Sequence, residues 1–275
     1  MPDAPPRVHP TALVGPDVRL ADGVTVGPFA VLDGDIDLAE GVAVGPHCHL
    51  IGRLTVGPGT TFGTGCVVGD RPQHTGYQGE PTATRIGAFN TFREYVTVHR
   101  AMPTELACTV VGDHNLLMVN SHVAHDCVIG DHCVLANGAV VGGHAVVSDR
   151  ALLSGNSAVH QNCRVGRLAL LGGTSAVSQD LPPFWICQGG INMLHGVNVI
   201  GMRRAGVPRE EIAAVRQAYK WLNRSGLTIP VALAEMTAAY PTVPAIAELV
   251  AFVQGTKRGI CTGHQQSIDT THDEA

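Results

Sequence analysis

The stretch Val123-Ala124-His125-Asp126-Cys127-Val128-Ile129-Gly130-Asp131-His132-Cys133-Val134-Leu135-Ala136-Asn137-Gly138-Ala139-Val140-Val141 decides the fold. An aliphatic residue returns every sixth position, at Val123, Ile129, Leu135 and Val141, and a small residue follows each by four, at Cys127, Cys133 and Ala139. Two inward positions per six residues describe a short strand and a corner, neither an amphipathic helix nor a simple alternating strand. Followed outward, the same period runs from Val8 to Val68, through Ile86, Phe92 and Val98, and from Val111 to Val177. Gly is common directly after the first inward position, as at Gly27, Gly45, Gly57, Gly112 and Gly130, and reads as the tight corner. Three such strands close a coil of eighteen residues. Stacked coils pair as parallel strands about 4.8 Å apart, which makes most of the chain one all-β solenoid.

Composition fits a thin prism. Of 275 residues 33 are Gly, and aromatics make up only 4 %. No run of about eighteen apolar residues and no charged-then-apolar leader is present, so a soluble, cytoplasmic chain without a membrane span is expected. The net charge of −5 argues against a nucleic-acid surface. Among eight cysteines, Cys48, Cys66, Cys127, Cys133 and Cys163 share the small inward position and read as core. There is no CxxC pair to suggest zinc or redox chemistry.

The period breaks in three places. Residues 71–85, from Arg71-Pro72-Gln73-His74 through Tyr77-Gln78-Gly79-Glu80-Pro81, have no hexad logic and read as a loop leaving the prism. A second excursion is expected near 101–110, where Val98 to Val111 spans thirteen residues instead of twelve. After Leu181-Pro182-Pro183 the period changes altogether. The expected organisation is a β-solenoid over 1–185, an α-helical domain over 186–261 and a frayed polar tail over 262–275. Helices are predicted from Pro208 to about Leu222, Pro230 to Ala239 and Val243 to Val253.

Counting in eighteens places the polar residues. His122 and His125 point outward on either side of Val123, and Gly143 and Gln161 stand one and two coils beyond His125. His144 lies one coil beyond Asp126. A second column, Asn137, Gly155 and Gly173, lacks side chains on two of its three coils and would leave a groove along the axis. Outward histidines are often merely solvated. Here several share adjacent coils and one precedes an Asp, the arrangement of a general base with a carboxylate to fix its tautomer. An exposed edge is a poor place for chemistry, but trimeric packing of prisms would cover it.

Several blocks carry a resemblance to a known family: Asn115 through Cys127, Gly79-Glu80-Pro81-Thr82, Ala158-Val159-His160-Gln161, Gln179-Asp180-Leu181-Pro182-Pro183 and Gly196-Val197-Asn198. Together they are similar to the acyl-[acyl-carrier-protein]:UDP-N-acetylglucosamine O-acyltransferases, hexapeptide-repeat enzymes, from about Val8 to Gly259. The resemblance implies a left-handed parallel β-helix, a homotrimer, no cofactor or metal, and transfer of a 3-hydroxyacyl chain from acyl carrier protein to a UDP-sugar in lipid A biosynthesis. His125 would be the general base, Asp126 its orienting carboxylate, and the Gly143 N–H an oxyanion donor. His122, His144, His160 and Gln161 would position the sugar, with Gln73 arriving from a neighbouring subunit and Asn198 and Arg204 on the uridine diphosphate. Met118, Gly155, Gly173 and Ile191 would line the acyl groove, where Gly173 leaves room for about ten to fourteen carbons.

The chain also departs from that family. Where relatives read Pro-Gln-Asp-Leu-Lys-Tyr it has Pro72-Gln73-His74-Thr75-Gly76-Tyr77, losing an acidic and a basic substrate contact. Ile200 replaces an acidic residue, Ala205 an arginine and Ile191 a histidine. The acceptor is therefore left open among UDP-N-acetylglucosamine, its 3-amino analogue and another nucleotide sugar, as is an ester or amide product. Two other classes compete: a γ-carbonic-anhydrase-like metal enzyme, with His122, His125 and His144 converging on zinc, and an idle scaffold that keeps the prism.

Overall fold

The computed structural model describes residues 4–262, so all of the predicted polar tail except Thr262 lies outside the described residues. Short parallel strands stack into three sheets of eleven, nine and eight strands, the faces of a left-handed triangular prism. Each strand is hydrogen-bonded to the one a full coil later: His122 and Val123 pair with Val140 and Val141, and those with Ala158 and Val159. Both inward positions are buried along the prism, from Val24 and Val26 to Cys163 and Val165. All eight cysteines are free thiols, and burial pushes those of Cys127 and Cys133 up to about 12. Neither of these two thiols is a ready nucleophile.

The corners divide two jobs that the sequence had assigned to one glycine. The turn is made by the third residue after each inward aliphatic, which adopts positive φ: Asn120 (58°), Asp126 (60°), His132 (56°), His144 (59°) and Asn162 (61°) among others. Asn, Asp and His tolerate this left-handed region best after Gly. The glycine directly after the aliphatic has ordinary φ and serves close approach between coils. A Cβ at Gly45 would lie 2.6 Å from the Phe62 carbonyl, and one at Gly112 would collide with Asp131 Oδ1.

The second excursion is longer than hexad counting suggested, and the first is shorter than the expected 71–85 loop because a strand resumes at Ala83. Val98 pairs with Val123, twenty-five residues on instead of eighteen, so seven residues are excluded from that coil, where the sequence showed a slip of one. Val68 pairs with Val98, thirty residues on, so twelve are excluded. Twelve is a multiple of six and seven exceeds six by a single residue, so the first insertion left the period in phase and the second nearly so.

Beyond Val177 the strand Trp185–Cys187 adds to the first sheet and turns back as an antiparallel partner, Leu194–Val197. Strand structure thus continues into the segment expected to be helical. Four helices follow: α1 (Val199–Arg204), α2 (Arg209–Asn223), α3 (Ile229–Ala239) and α4 (Pro244–Gln254). The last three lie within two residues of the predicted bounds, while α1 was missed. Asp180 anchors this region to the prism: its buried carboxylate accepts from the Arg164 guanidinium at 2.7 and 2.9 Å and from the Thr256 hydroxyl at 2.8 Å. No described helix is long and apolar enough to cross a membrane.

Candidate active site

The second face of the prism and the corner after it carry His122, His125 and Asp126, between the two excursion loops. His125 Nδ1 lies 2.7 Å from Asp126 Oδ2. The carboxylate also accepts from the Met102 N–H at 3.0 Å and the Thr104 hydroxyl at 2.7 Å, both on the 100–107 loop, while the Asp126 N–H donates to Thr109 Oγ1 at 2.8 Å. Burial works to raise the Asp126 pKa, but the donors from Met102, His125 and Thr104 outweigh it and hold the carboxyl below its usual range. An ionised carboxylate accepting at Nδ1 makes that nitrogen the donor, so in the neutral imidazole Nε2 is free to take a proton.

His125 is only 8 % exposed, contrary to the open edge expected from its outward register. The ring of His74, from the 71–82 excursion, meets the His125 ring edge-on with centroids 5.5 Å apart, and His144 meets it edge-on at 5.1 Å. The chain's own loops therefore enclose the imidazole. Gly143 has to be glycine, since a Cβ there would lie 2.7–2.8 Å from Cε1 and Nε2 of His125. Among the described residues the Gly143 N–H makes no hydrogen bond, which leaves a backbone donor beside the imidazole.

His122 belongs to a separate pair. Its Nδ1 is 2.7 Å from the Thr97 hydroxyl and its ring is edge-on to buried His99. Burial, with the neighbouring His99 and His125, pushes its pKa down to about 4. His122 is thus neutral near pH 7. The three imidazoles His122, His125 and His144 do not converge on one point. The group close enough to share an ion is instead His125, Asp126 and His144, and its tightest pair, at 2.7 Å, is a hydrogen bond shorter than the separation of two ligands on one zinc.

The remaining candidates spread from this centre. His160 and Gln161 are exposed one coil further on, with the His160 Nδ1 3.1 Å from the Gln161 carbonyl. Gln73 is exposed on the 71–82 loop beside His74, and Arg204 is exposed at the end of α1. Asn198 differs from expectation: its Oδ1 caps α1 by accepting from the Gly201 N–H at 2.9 Å, and its Nδ2 donates to the Leu168 carbonyl at 2.8 Å. One of its two amide N–H groups and one oxygen lone pair therefore serve the fold. Gly155 and Gly173 stand on successive coils, where a Cβ on either would meet backbone oxygen only at 3.5 Å, leaving an open trough. Met118 is half-buried, and Ile191, bridged to Ala176, is 55 % exposed. Sequence reasoning missed the packing of His74 on His125, the role of His99 and the Met102–Thr104–Thr109 clasp. Only the broken period near them hinted at them, and His99 and Thr109 themselves lie in the strands that flank the second loop.

Residues 108–143 match the bacterial transferase hexapeptide family (six repeats), so the prism is that of a hexapeptide transferase. Residues 180–261 match the family described as Udp N-acetylglucosamine O-acyltransferase, domain 2. The acyl-[acyl-carrier-protein]–UDP-N-acetylglucosamine O-acyltransferase of Trichlorobacter lovleyi is 50 % identical over 259 residues, 93 % of this chain and 99 % of its own. That of Halorhodospira halophila is 40 % identical over 254 residues, 92 % and 98 % of the two chains. The crystal structure of the Moraxella catarrhalis UDP-N-acetylglucosamine O-acyltransferase superposes with a TM-score of 0.88 at 34 % identity, covering 92 % of this chain and 99 % of that one. The chain belongs to the acyl-[acyl-carrier-protein]–UDP-N-acetylglucosamine O-acyltransferase family.

Proposed function

We propose that the protein transfers a 3-hydroxyacyl chain from acyl carrier protein to the 3-hydroxyl of UDP-N-acetylglucosamine, the first step of lipid A biosynthesis. The observation that carries this reading is the buried His125–Asp126 pair, with its tautomer set by an ionised carboxylate, inside a chain of this family. Nε2 of His125 takes the hydroxyl proton as the sugar oxygen bonds to the thioester carbon. The Gly143 N–H stabilises the oxyanion. The carbon–sulfur bond then breaks, and the imidazolium returns its proton to the departing thiolate. His144, His160, Gln161 and neutral His122 position the sugar, and Arg204 pairs with phosphate. The trough over Gly155 and Gly173, flanked by Met118 and Ile191, takes the acyl chain.

A homotrimer completes the site. Outward-facing Leu116, Val134, Leu152 and Leu170 form an apolar ladder on one sheet that three-fold packing would cover, bringing Gln73 toward a neighbouring sugar. The cytoplasm is the proposed compartment of this reaction. The deciding experiment compares wild type with His125→Ala on 3-hydroxyacyl carrier protein and UDP-N-acetylglucosamine, read by mass spectrometry. A loss of about a hundredfold or more in kcat is expected, and equal rates would sink the base assignment.

A further inference from the structure

A single three-residue turn grips the Asp126 carboxylate. The Thr104 N–H donates to the Met102 carbonyl at 2.7 Å, closing a turn centred on Pro103, whose ring fixes φ near the value such a turn needs. The turn aims two donors at the two oxygens of one acid: the Met102 N–H reaches Oδ2 at 3.0 Å and the Thr104 hydroxyl reaches Oδ1 at 2.7 Å. Among the described residues that hydroxyl has two other contacts, the Met102 carbonyl at 3.5 Å and the Ala107 N–H at 3.3 Å. Its one proton goes to the nearer, charged acceptor, Asp126, while the Ala107 N–H fills a lone pair. A carboxylate is a rigid plane, so an anchor on Oδ1 fixes the direction in which Oδ2 faces His125 Nδ1, 2.7 Å away.

We propose that Thr104 is a positioning residue for the general base: by holding Oδ1 it keeps Oδ2 of Asp126 on His125 and draws part of the carboxylate charge away from the imidazole. This rests on the acyl transfer proposed above. Thr104 bonds to the oxygen that His125 does not use, so it acts through Asp126 and not on the substrate. The Thr104 hydroxyl is one of the donors that hold the Asp126 carboxyl below its usual range. Without it the charge concentrates on the oxygen facing the ring, the protonated imidazole is held more tightly, and the base is released only at higher pH. The other titratable groups around the pair are His74 and His144, edge-on to the His125 ring, with His144 Nε2 3.8 Å from Asp126 Oδ2, and His99 and His122 beside them. None of these four bonds to the Thr104 hydroxyl, so they are common to wild type and Thr104 variants.

The test follows kcat/KM against pH for wild type, Thr104→Val, Thr104→Ser, Asp126→Asn and the Thr104→Val, Asp126→Asn double variant. Thr104→Val keeps the branched shape of the side chain and removes the donor. It should lower kcat/KM near pH 7 about tenfold and move the acid limb of the profile up by about half a pH unit, with KM for the sugar within about threefold of wild type. Thr104→Ser, which keeps the hydroxyl, should restore both. In the Asp126→Asn background Thr104→Val should cost no more than about twofold, since the group it acts through is gone. An unmoved acid limb, an undiminished loss in the Asp126→Asn background, or a larger rise in KM for the sugar would overturn the proposal while acyl transfer stands. Absence of acyl transfer by wild type to any UDP-hexosamine would instead overturn the underlying function, and the proposal with it.

Discussion

Asp126 has its acceptors occupied before substrate arrives: two donors from the 100–107 loop, one from His125, and a backbone turned to φ 60°. Asp126→Asn replaces an acceptor with a group that must donate at one end, which disfavours the tautomer that leaves Nε2 of His125 free. A fall in kcat of about a hundredfold or more is expected, with KM for the sugar little changed; steady-state kinetics at about pH 7–8 would check it. His122 makes a stability prediction. Its folded pKa of about 4 is below the unfolded value, so between about pH 6.5 and 4 the unfolded chain binds a proton that the native one does not. Stability should therefore fall as pH drops through that window, by at most ~3 kcal/mol from this residue. Urea unfolding of wild type and His122→Gln at about pH 7 and pH 4.5 would show it as a smaller acid loss in the variant.

At the scale of elements, the corners and caps carry the strain of the fold. Gly112→Ala would drive a Cβ onto Asp131 Oδ1 and the Gly130 carbonyl, where the next coil cannot retreat without breaking its own ladder. A loss of roughly 1–3 kcal/mol is expected by chemical denaturation. Asn198→Ala removes the α1 cap and a bond to Leu168, costing about 1 kcal/mol or slightly more. The same variant separates the two roles of the amide: KM for the nucleotide sugar within a few-fold of wild type marks a cap alone, and a larger rise marks a direct ligand as well. The two excursions are likewise elements with a job: one supplies the donors to Asp126, the other the ring that covers His125.

For the whole molecule, each coil contacts only its neighbours along the axis, so stability accumulates coil by coil. The helical region is locked to the last coils through Asp180 and Arg164, and through the Arg167–Glu248 pair at 2.7 Å. The proposed trimer predicts a solution mass about three times 28.8 kDa by light scattering. Leu152→Arg, on the outward ladder, should lower both mass and activity, whereas a monomer with full wild-type activity would remove the neighbour from the site.

The period of six by itself determined the prism, the register and the column of His125, Gly143 and Gln161, because side chains that must enter a narrow core repeat with the coil and polar ones are left outside at countable heights. Three helices were legible for a similar reason, from Pro at their starts and apolar spacing. Helix α1 was too short to show a period, and the role of Asn198 as its cap was hidden with it. The size of the second insertion was masked because its seven excluded residues, one more than six, keep the hexad nearly in phase. Only the tertiary structure decided that His125 is buried, that Asp126 is fixed by Met102 and Thr104, and that His74 faces the imidazole. Those contacts join loops to a corner across no fixed spacing, and they depend on where an aperiodic chain folds back, which burial and hydrogen bonding settle and a repeat cannot.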